Sequence, residues 1–213
     1  MAQTITWPTA DFSRIPYPVF YDEAIFAEEQ QKLYRGAVWN YLVLEAEIPN
    51  AGDFKTSYVG NTPVIVARDH DGSINAFLNR CAHRGAIVQR EERGNHEDFR
   101  CIYHQWCYNL KGELTGVPYR RGVKGVGGYP DDFDMGNHSL QKLRVSSYRG
   151  LVFGSFSTEV ESIEDYLGEN LRGYLDSRFE KPVKVLGNMR QTIPSNWKLY
   201  YENVKDPYHA GLL

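Results

Sequence analysis

The sequence has no long apolar run, no cluster of basic residues and few cysteines, and each absence argues against a class of protein. No stretch approaches the roughly 18 consecutive apolar residues that a membrane-spanning helix requires, so we expect no membrane segment. The 24 Lys and Arg against 27 Asp and Glu give a net charge of -3, which argues against a nucleic-acid partner. Only three cysteines and a start without a leader pattern favour a reducing compartment, so a cytoplasmic location is predicted.

Regular structure is predicted from the spacing of apolar residues. Aromatic residues make up 14% of the 213 residues, which is enough for a sizeable core without disulfides. Helical spacing from Asp22 to Arg35 predicts an amphipathic helix, and short apolar runs separated by turn residues follow it. These runs predict antiparallel β-hairpins, with a tip at Lys111-Gly112 and a buried strand at 151–153.

These patterns divide the chain into three parts. The predicted domains are an N-terminal helical segment at 1–39, a β domain at 40–157 and the beginning of a mixed α/β domain at 158–213. The last part is predicted to contain a helix from Ile163 to Phe179, a strand from Val183 to Ile193 and a helix that Ser195 caps. The fold class is therefore α+β, with an antiparallel β domain first.

Two pairs of metal-binding residues lie in the β domain. Cys81, His83, Cys101 and His104 form the pattern C-x-H-x17-C-x2-H. Two thiolates and two imidazoles can hold one tetrahedral zinc or a [2Fe-2S] cluster. A zinc finger usually pairs Cys with Cys and His with His, whereas here each pair contains one of each. In a Rieske centre one Cys from each pair binds one iron and one His from each binds the other, so a [2Fe-2S] cluster is predicted.

The neighbours of the two pairs are consistent with a cluster. Gly85 permits a tight backbone path. Trp106 and Tyr103 either screen the second pair from water or serve as ordinary core aromatics. Cys107 lies outside the spacing and is expected to be a small buried apolar residue.

A second candidate site lies near the end of the sequence, at Asp206 and His209. Pro207 disfavours helix at Asp206 and suits the first turn of a new helix, so Asp206 is predicted to cap the turn that carries His209. A His beside a carboxylate at a helix break suits half of the ligand set of a non-haem Fe(II) site, which has two His and one carboxylate. An ordinary helix start explains the same residues.

With both motifs, the chain resembles the large (α) subunit of Rieske non-haem iron aromatic-ring-hydroxylating oxygenases over essentially all its length. The segments 81–85 and 101–106 match the family's cluster motif, and 196–209 matches its iron motif. The remaining iron ligands of that motif are expected beyond Leu213, so the chain is expected to be an N-terminal fragment. The segments 116–118 and 202–206 are most similar to the branch of terephthalate, salicylate and anthranilate oxygenases.

The resemblance implies a terminal oxygenase that monohydroxylates or dihydroxylates an aromatic carboxylic acid with O2. Electrons from NADH would pass through a reductase, with or without a ferredoxin, to the cluster and then to a mononuclear Fe(2+) that His209 helps to bind. It also implies a homotrimer, or an α3β3 assembly with a small β subunit, in which Asp206 bridges the two metal sites of neighbouring subunits. Asn203 matches a substrate-side position near the iron, and a helix-surface amide explains it too. A stand-alone Rieske electron carrier and a zinc-binding structural module are the alternatives.

Overall fold

A computed structural model describes residues 5–8, 14–208 and 211. The chain forms two compact units, of which the larger is Tyr34–Val185. The smaller consists of the described parts of Met1–Leu33 and Leu186–Leu213. Across the described residues, no helix is both long enough and apolar enough to cross a membrane.

The larger unit is built from ten strands in three antiparallel sheets. The strands are β1 (Asn40–Leu44), β2 (Asp53–Val59), β3 (Thr62–Arg68), β4 (Ile74–Leu78), β5 (Arg93–Asn95), β6 (Phe99–Arg100), β7 (Cys107–Tyr108), β8 (Leu114–Gly116), β9 (Arg144–Tyr148) and β10 (Leu151–Ser155). Their orders are β1-β10-β9, β4-β3-β2-β5 and β6-β7-β8. The antiparallel β domain is thereby confirmed, as are the turn at Lys111-Gly112 between β7 and β8 and the buried strand, which is β10.

Strand β3 separates two hydrophobic cores. Its side chains alternate between the two faces of the sheet, as the period of two residues in a strand requires. Ile65 and Ala67 belong to the core that also contains Phe77 and the two predicted ligand cysteines. Val64 and Val66 belong to the opposite core, with strand β1. Because both faces of β3 are buried, the sheet gives β4, which leads into the first cysteine, a rigid support.

Helix α3 (Ile163–Arg178) completes the larger unit and confirms the helix predicted there. Ser162 caps it, since its hydroxyl accepts the backbone N–H of Asp165 at 3.1 Å. Ile163 is buried in a small core with Trp39 and Phe153. The helix is interrupted at Gly168, which has a φ of 64° that glycine adopts without steric cost.

Among the described residues, the other three α-helices lie in the smaller unit. α1 (Pro18–Tyr21) precedes α2 (Glu23–Glu29), a π-helical turn (Gln30–Tyr34) continues α2, and α4 (Trp197–Lys205) comes near the end of the chain. The helix predicted from Asp22 to Arg35 is confirmed, and the Asp22 carboxylate caps it. The cap predicted at Ser195 is wrong by one residue. Asn196 has the extended backbone that precedes α4, and its side chain accepts the N–H of Lys198 at 3.1 Å.

The strand predicted from Val183 to Ile193 is wrong, because this segment has no regular structure. A strand requires a neighbouring strand for its backbone hydrogen bonds, and within the described ranges none pairs with it. Its apolar side chains are therefore exposed, with Leu186 at 92% and Met189 at 82%. The apolar pattern alone did not reveal this lack of a partner.

Candidate metal centre

Two loops with the same backbone hydrogen bonds carry the four predicted ligands. In the loop 81–86, which follows β4, the Cys81 N–H donates to the Ala86 carbonyl and the Gly85 N–H donates to the Cys81 carbonyl, both at 2.8 Å. In the loop 101–106, which follows β6, the Cys101 N–H donates to Trp106 and the Gln105 N–H donates to Cys101, again at 2.8 Å. These closed rings of backbone restrict the position of each cysteine.

The two loops meet at their histidines and cysteines. The imidazole rings of His83 and His104 lie 4.6 Å apart between centroids, at 74° to each other. Cys81 and Cys101 are buried, with 4% and 1% of their surface exposed. Burial, with the neighbouring Cys81 thiol as a smaller cause, raises the pKa of the Cys101 thiol. Such thiols are retained as thiolates only with a compensating cation, as a metal centre provides.

The strongest sign of a metal site is a pair of unsatisfied nitrogen atoms. The Nδ1 atoms of His83 and His104 are both buried and have no hydrogen-bond partner among the described residues. A buried polar atom without a partner costs free energy, so it usually has a function. Burial, and then the charges of His104 and Arg84, lower the pKa of His83 and favour the neutral imidazole that binds metals.

The arrangement of donors fits a two-iron cluster. Across the described ranges, no three side chains of His, Cys, Asp or Glu converge as ligands of one metal ion. A [2Fe-2S] cluster of the Rieske type requires only two pairs, one of cysteines and one of histidines. When bound, such a cluster accepts and donates one electron.

Aromatic side chains surround the histidines, and they differ in exposure. Trp106 is buried and stacks on His83 with the centroids 5.0 Å apart. It is therefore a core aromatic, and the imidazole that it covers belongs to the first pair and not, as the sequence had suggested, to the second pair. Tyr103 lies against His104 at 3.8 Å but is 58% exposed, so a core role for Tyr103 is wrong. Cys107 is only half-buried on β7, where burial, followed by Asp98, raises the pKa of its thiol.

Tyr108 is a residue of the centre that the sequence did not reveal. Its ring is fully buried, and its hydroxyl accepts the Ala82 N–H at 3.1 Å and lies 3.2 Å from the Cys81 sulfur. Burial, and then Cys81, raise the pKa of the Tyr108 hydroxyl. Once Cys81 binds a metal as a thiolate, it has no proton to give, so the hydroxyl would be the donor to that sulfur. The sequence contains fifteen tyrosines, and nothing around Tyr108 distinguishes it from the others.

The second candidate site lies in the smaller unit. Asp206 follows α4, and its carboxylate accepts the Tyr208 N–H at 2.9 Å, as the side chain of a capping residue does. Asn203 is exposed on α4, and its carbonyl accepts the Asp206 N–H at 3.3 Å. His209 lies outside the described residues.

Comparison with known proteins identifies the family of the β domain. Residues 38–130 match the model of the Rieske [2Fe-2S] domain. The chain contains a Rieske [2Fe-2S] domain. This match favours the predicted cluster over the zinc-binding alternative, and such a domain binds [2Fe-2S].

The similarity extends beyond this Rieske domain to oxygenase large subunits. The chain is 55% identical over 212 residues to the anthranilate 1,2-dioxygenase large subunit of Burkholderia cepacia, covering 100% of the chain and 50% of the relative. It is 53% identical over 209 residues to the terephthalate 1,2-dioxygenase terminal oxygenase component subunit alpha 2 of Comamonas sp, covering 98% and 51%. It is 49% identical over 212 residues to the salicylate 5-hydroxylase large oxygenase component of Ralstonia sp, covering 97% and 50%.

Solved structures agree with these relatives. Naphthalene 1,2-dioxygenase from Rhodococcus sp. bound to indole matches with a TM-score of 0.79 and 36% identity, over 93% of this chain and 45% of that one. The chain spans about half the length of the curated relatives it matches. The resemblance to Rieske oxygenase large subunits is therefore confirmed, as is the α+β fold class.

Proposed function

We propose that this Rieske domain and the segment after it belong to the large subunit of a terminal oxygenase that hydroxylates an aromatic carboxylic acid with O2. The identity of 49–55% to oxygenase subunits, which extends well past residue 130, supports this proposal most strongly. Anthranilate, terephthalate and salicylate are all aromatic carboxylates. A stand-alone Rieske electron carrier is the alternative, and it would not require the segment with α4.

In the proposed centre, the described residues hold and screen the cluster. Cys81 and Cys101 would bind one iron through their thiolates, and His83 and His104 would bind the other through Nδ1. Trp106 would keep water from His83 by covering its face, and Tyr103 lies tilted against His104. The Tyr108 hydroxyl, 3.2 Å from the Cys81 sulfur, would donate a hydrogen bond to the metal-bound thiolate.

Further residues and partners belong to the complete subunit. We propose that His209 supplies one ligand of a mononuclear Fe(2+), that Asp206 bridges this site and the cluster of a neighbouring subunit, and that Asn203 lies toward the substrate. A carboxylate between two metal-bound imidazoles would fix their orientation. The proposed partners are an NADH-dependent reductase and, in some systems, a ferredoxin. The proposed assembly is a homotrimer or an α3β3 complex in the cytoplasm.

The domain division is part of the same proposal. We assign 1–39 to an N-terminal helical segment, 40–157 to the Rieske domain and 158–213 to the beginning of the catalytic domain. Expression of residues 40–157 alone tests whether the Rieske domain folds within these two boundaries. A soluble, coloured product would support it, and an insoluble one would contradict it.

The function is tested by single-turnover chemistry with the complete large subunit. We expect the pre-reduced protein to form a hydroxylated product from anthranilate, terephthalate or salicylate under O2. A carrier would be reoxidised without any product. In the Asp206→Asn variant, product formation is expected to fall at least about tenfold with both metals retained, because the bridging charge is lost. If Asp206 only caps a helix, Asn substitutes freely, since Asn and Asp cap about equally well.

A further inference from the structure

Glu29, at the end of α2, binds the first turn of α4 through three hydrogen bonds. The Trp197 indole N–H donates to Glu29 Oε2 at 3.0 Å, and the Lys198 ammonium donates to Oε1 at 2.6 Å and to Oε2 at 2.7 Å. The partners stand 168 and 169 positions apart in the sequence. We call Glu29, Trp197 and Lys198 the α2–α4 clamp.

The ion pair of the clamp is much less exposed to water than the ion pair beside it. The side chains of Glu29 and Lys198 are 13% and 16% exposed. Glu28 and Lys32, on the same helical stretch, pair at 2.8 Å with 54% and 73% of their side chains exposed. Charge-assisted hydrogen bonds strengthen when water is excluded, whereas exposed pairs contribute little. The two neighbouring glutamates therefore provide a matched comparison within one helix.

Apolar packing does little to hold α4 in place. The helix has no fully buried residue, and Tyr200 and Val204 are 56% and 63% exposed. On the side that faces the N-terminal segment, an open cavity of about 550 Å³ is lined by Val19 and Tyr201, among others, and also by the three residues of the clamp. Among the described residues, this space leaves that side of α4 without close packing, so the polar clamp carries more of the restraint.

We infer that Glu29 is a positioning residue, which fixes the first turn of α4 and thereby sets the location of Asp206 at the other end. An α-helix rises about 1.5 Å per residue, so Asp206 lies roughly 12 Å along the axis from Lys198 and moves with it. The role of Asp206 rests on the proposed function above. The clamp itself rests only on the contacts of the smaller unit.

Hydrogen–deuterium exchange of the 213-residue chain tests the clamp without any enzymatic assay. We expect Glu29→Gln to speed the exchange of amides 199–205 about tenfold, because the variant loses the charge and one acceptor. Glu28→Gln, the matched control, leaves these amides unchanged, and strand β3 keeps its protection in both variants. Reversing the pair with Glu29→Lys and Lys198→Glu restores part of the protection. Unchanged exchange in Glu29→Gln, or no recovery in the reversed pair, would overturn the clamp.

Turnover of the complete large subunit tests the positioning role. In Glu29→Gln, the rate of product formation from the pre-reduced protein is expected to fall about tenfold or more, because small misplacements of reacting groups are costly. The iron content and the KM for the aromatic acid stay as in the wild type, and Glu28→Gln behaves like the wild type. Normal turnover in Glu29→Gln would refute the positioning role. If the wild-type subunit itself formed no product, the proposed function and this role would both fail, and exchange would still decide the clamp.

Discussion

The two ligand loops, 81–86 and 101–106, share a backbone conformation and differ in the placement of their side chains. In both, a cysteine N–H closes a ring with the carbonyl five residues later. The histidine stands two residues after Cys81 in the first loop but three residues after Cys101 in the second. The rings therefore hold the two cysteines in the same way. The two spacings in the sequence are two different ways of placing a histidine next to the other loop's histidine.

The loops also differ in what supports them. Trp106, from the second loop, stacks on His83 of the first, and Tyr108, just beyond the second loop, reaches Cys81. The fourth residue after each cysteine has a positive φ, which glycine supplies at Gly85 and Gln105 adopts at 59°. The first loop thus depends on Trp106 and Tyr108, which lie in and just after the second loop. The second loop carries more backbone strain, because a residue other than glycine has the positive φ there.

Loss of either cysteine is expected to have the largest effect on this pair of loops. Because each loop contributes one thiolate to the same iron in the proposed centre, Cys81→Ala and Cys101→Ala are each expected to lose most of the bound iron and the visible absorption. Cys107→Ala, which changes the third free thiol, is the control and is expected to retain both. A variant of Cys81 or Cys101 with a normal iron and sulfide content would show that the loops are not equivalent in binding.

A smaller effect is expected from changing one imidazole ligand. His83→Cys replaces a neutral ligand by a thiolate, so the reduction potential is expected to fall by on the order of 100 mV, judged from the gap between Rieske and all-cysteine clusters. Protein-film voltammetry measures the shift, and His138→Gln is the control because this ring lies near Trp106 without belonging to the ligand set. An unchanged potential in a cluster-loaded variant would exclude His83 as a ligand.

The sequence predicted the centre better than its surroundings, for a physical reason. A cluster requires particular side chains at particular spacings, so Cys81 and His104 could be selected without coordinates. Tyr108 contacts Cys81, which lies in the other loop. No local pattern in the sequence indicates such a contact. The strand predicted from Val183 to Ile193 is wrong because a strand needs a neighbouring strand to pair with, and the apolar pattern of one segment does not show whether such a neighbour exists.

The helical parts show the same division between local and distant causes. The caps at Asp22 and Ser162 are local, and the helices that follow them lie where spacing predicted them. The hydrogen bonds that Glu29 accepts from Trp197 and Lys198 span most of the chain, so no local pattern of residues indicates them. Contacts of this range become visible only when the fold brings the two segments together.

Removal of the Tyr108 hydroxyl is expected to change the first loop alone. A hydrogen bond to a cluster sulfur stabilises the reduced form, so Tyr108→Phe is expected to lower the reduction potential by less than His83→Cys does. Loss of the bond to Ala82 costs about 1 kcal/mol of the free energy of unfolding. Tyr148→Phe is the matched control, because it removes the bond from Tyr148 to Asp176 far along the chain from the ligands. Equal potentials in Tyr108→Phe and the wild type would contradict the donor role.

The smallest expected effects concern the residues with positive φ, where the two loops can be compared directly. Gly85 has a φ of +72° and no heavy atom within 4 Å of an added Cβ, so Gly85→Ala carries only the cost of the left-handed backbone, about 1 kcal/mol. Gln105→Gly relieves that strain but gives the unfolded chain more freedom, so its net effect is expected to lie within about 0.5 kcal/mol of zero. The melting temperature of the cluster-loaded protein can be followed by visible absorption. It is expected to drop by about 2–4 °C in Gly85→Ala and to change little in Gln105→Gly. If Gly85→Ala had the melting temperature of the wild type, the backbone at this position would not require glycine. The two loops would then differ in sequence without differing in strain.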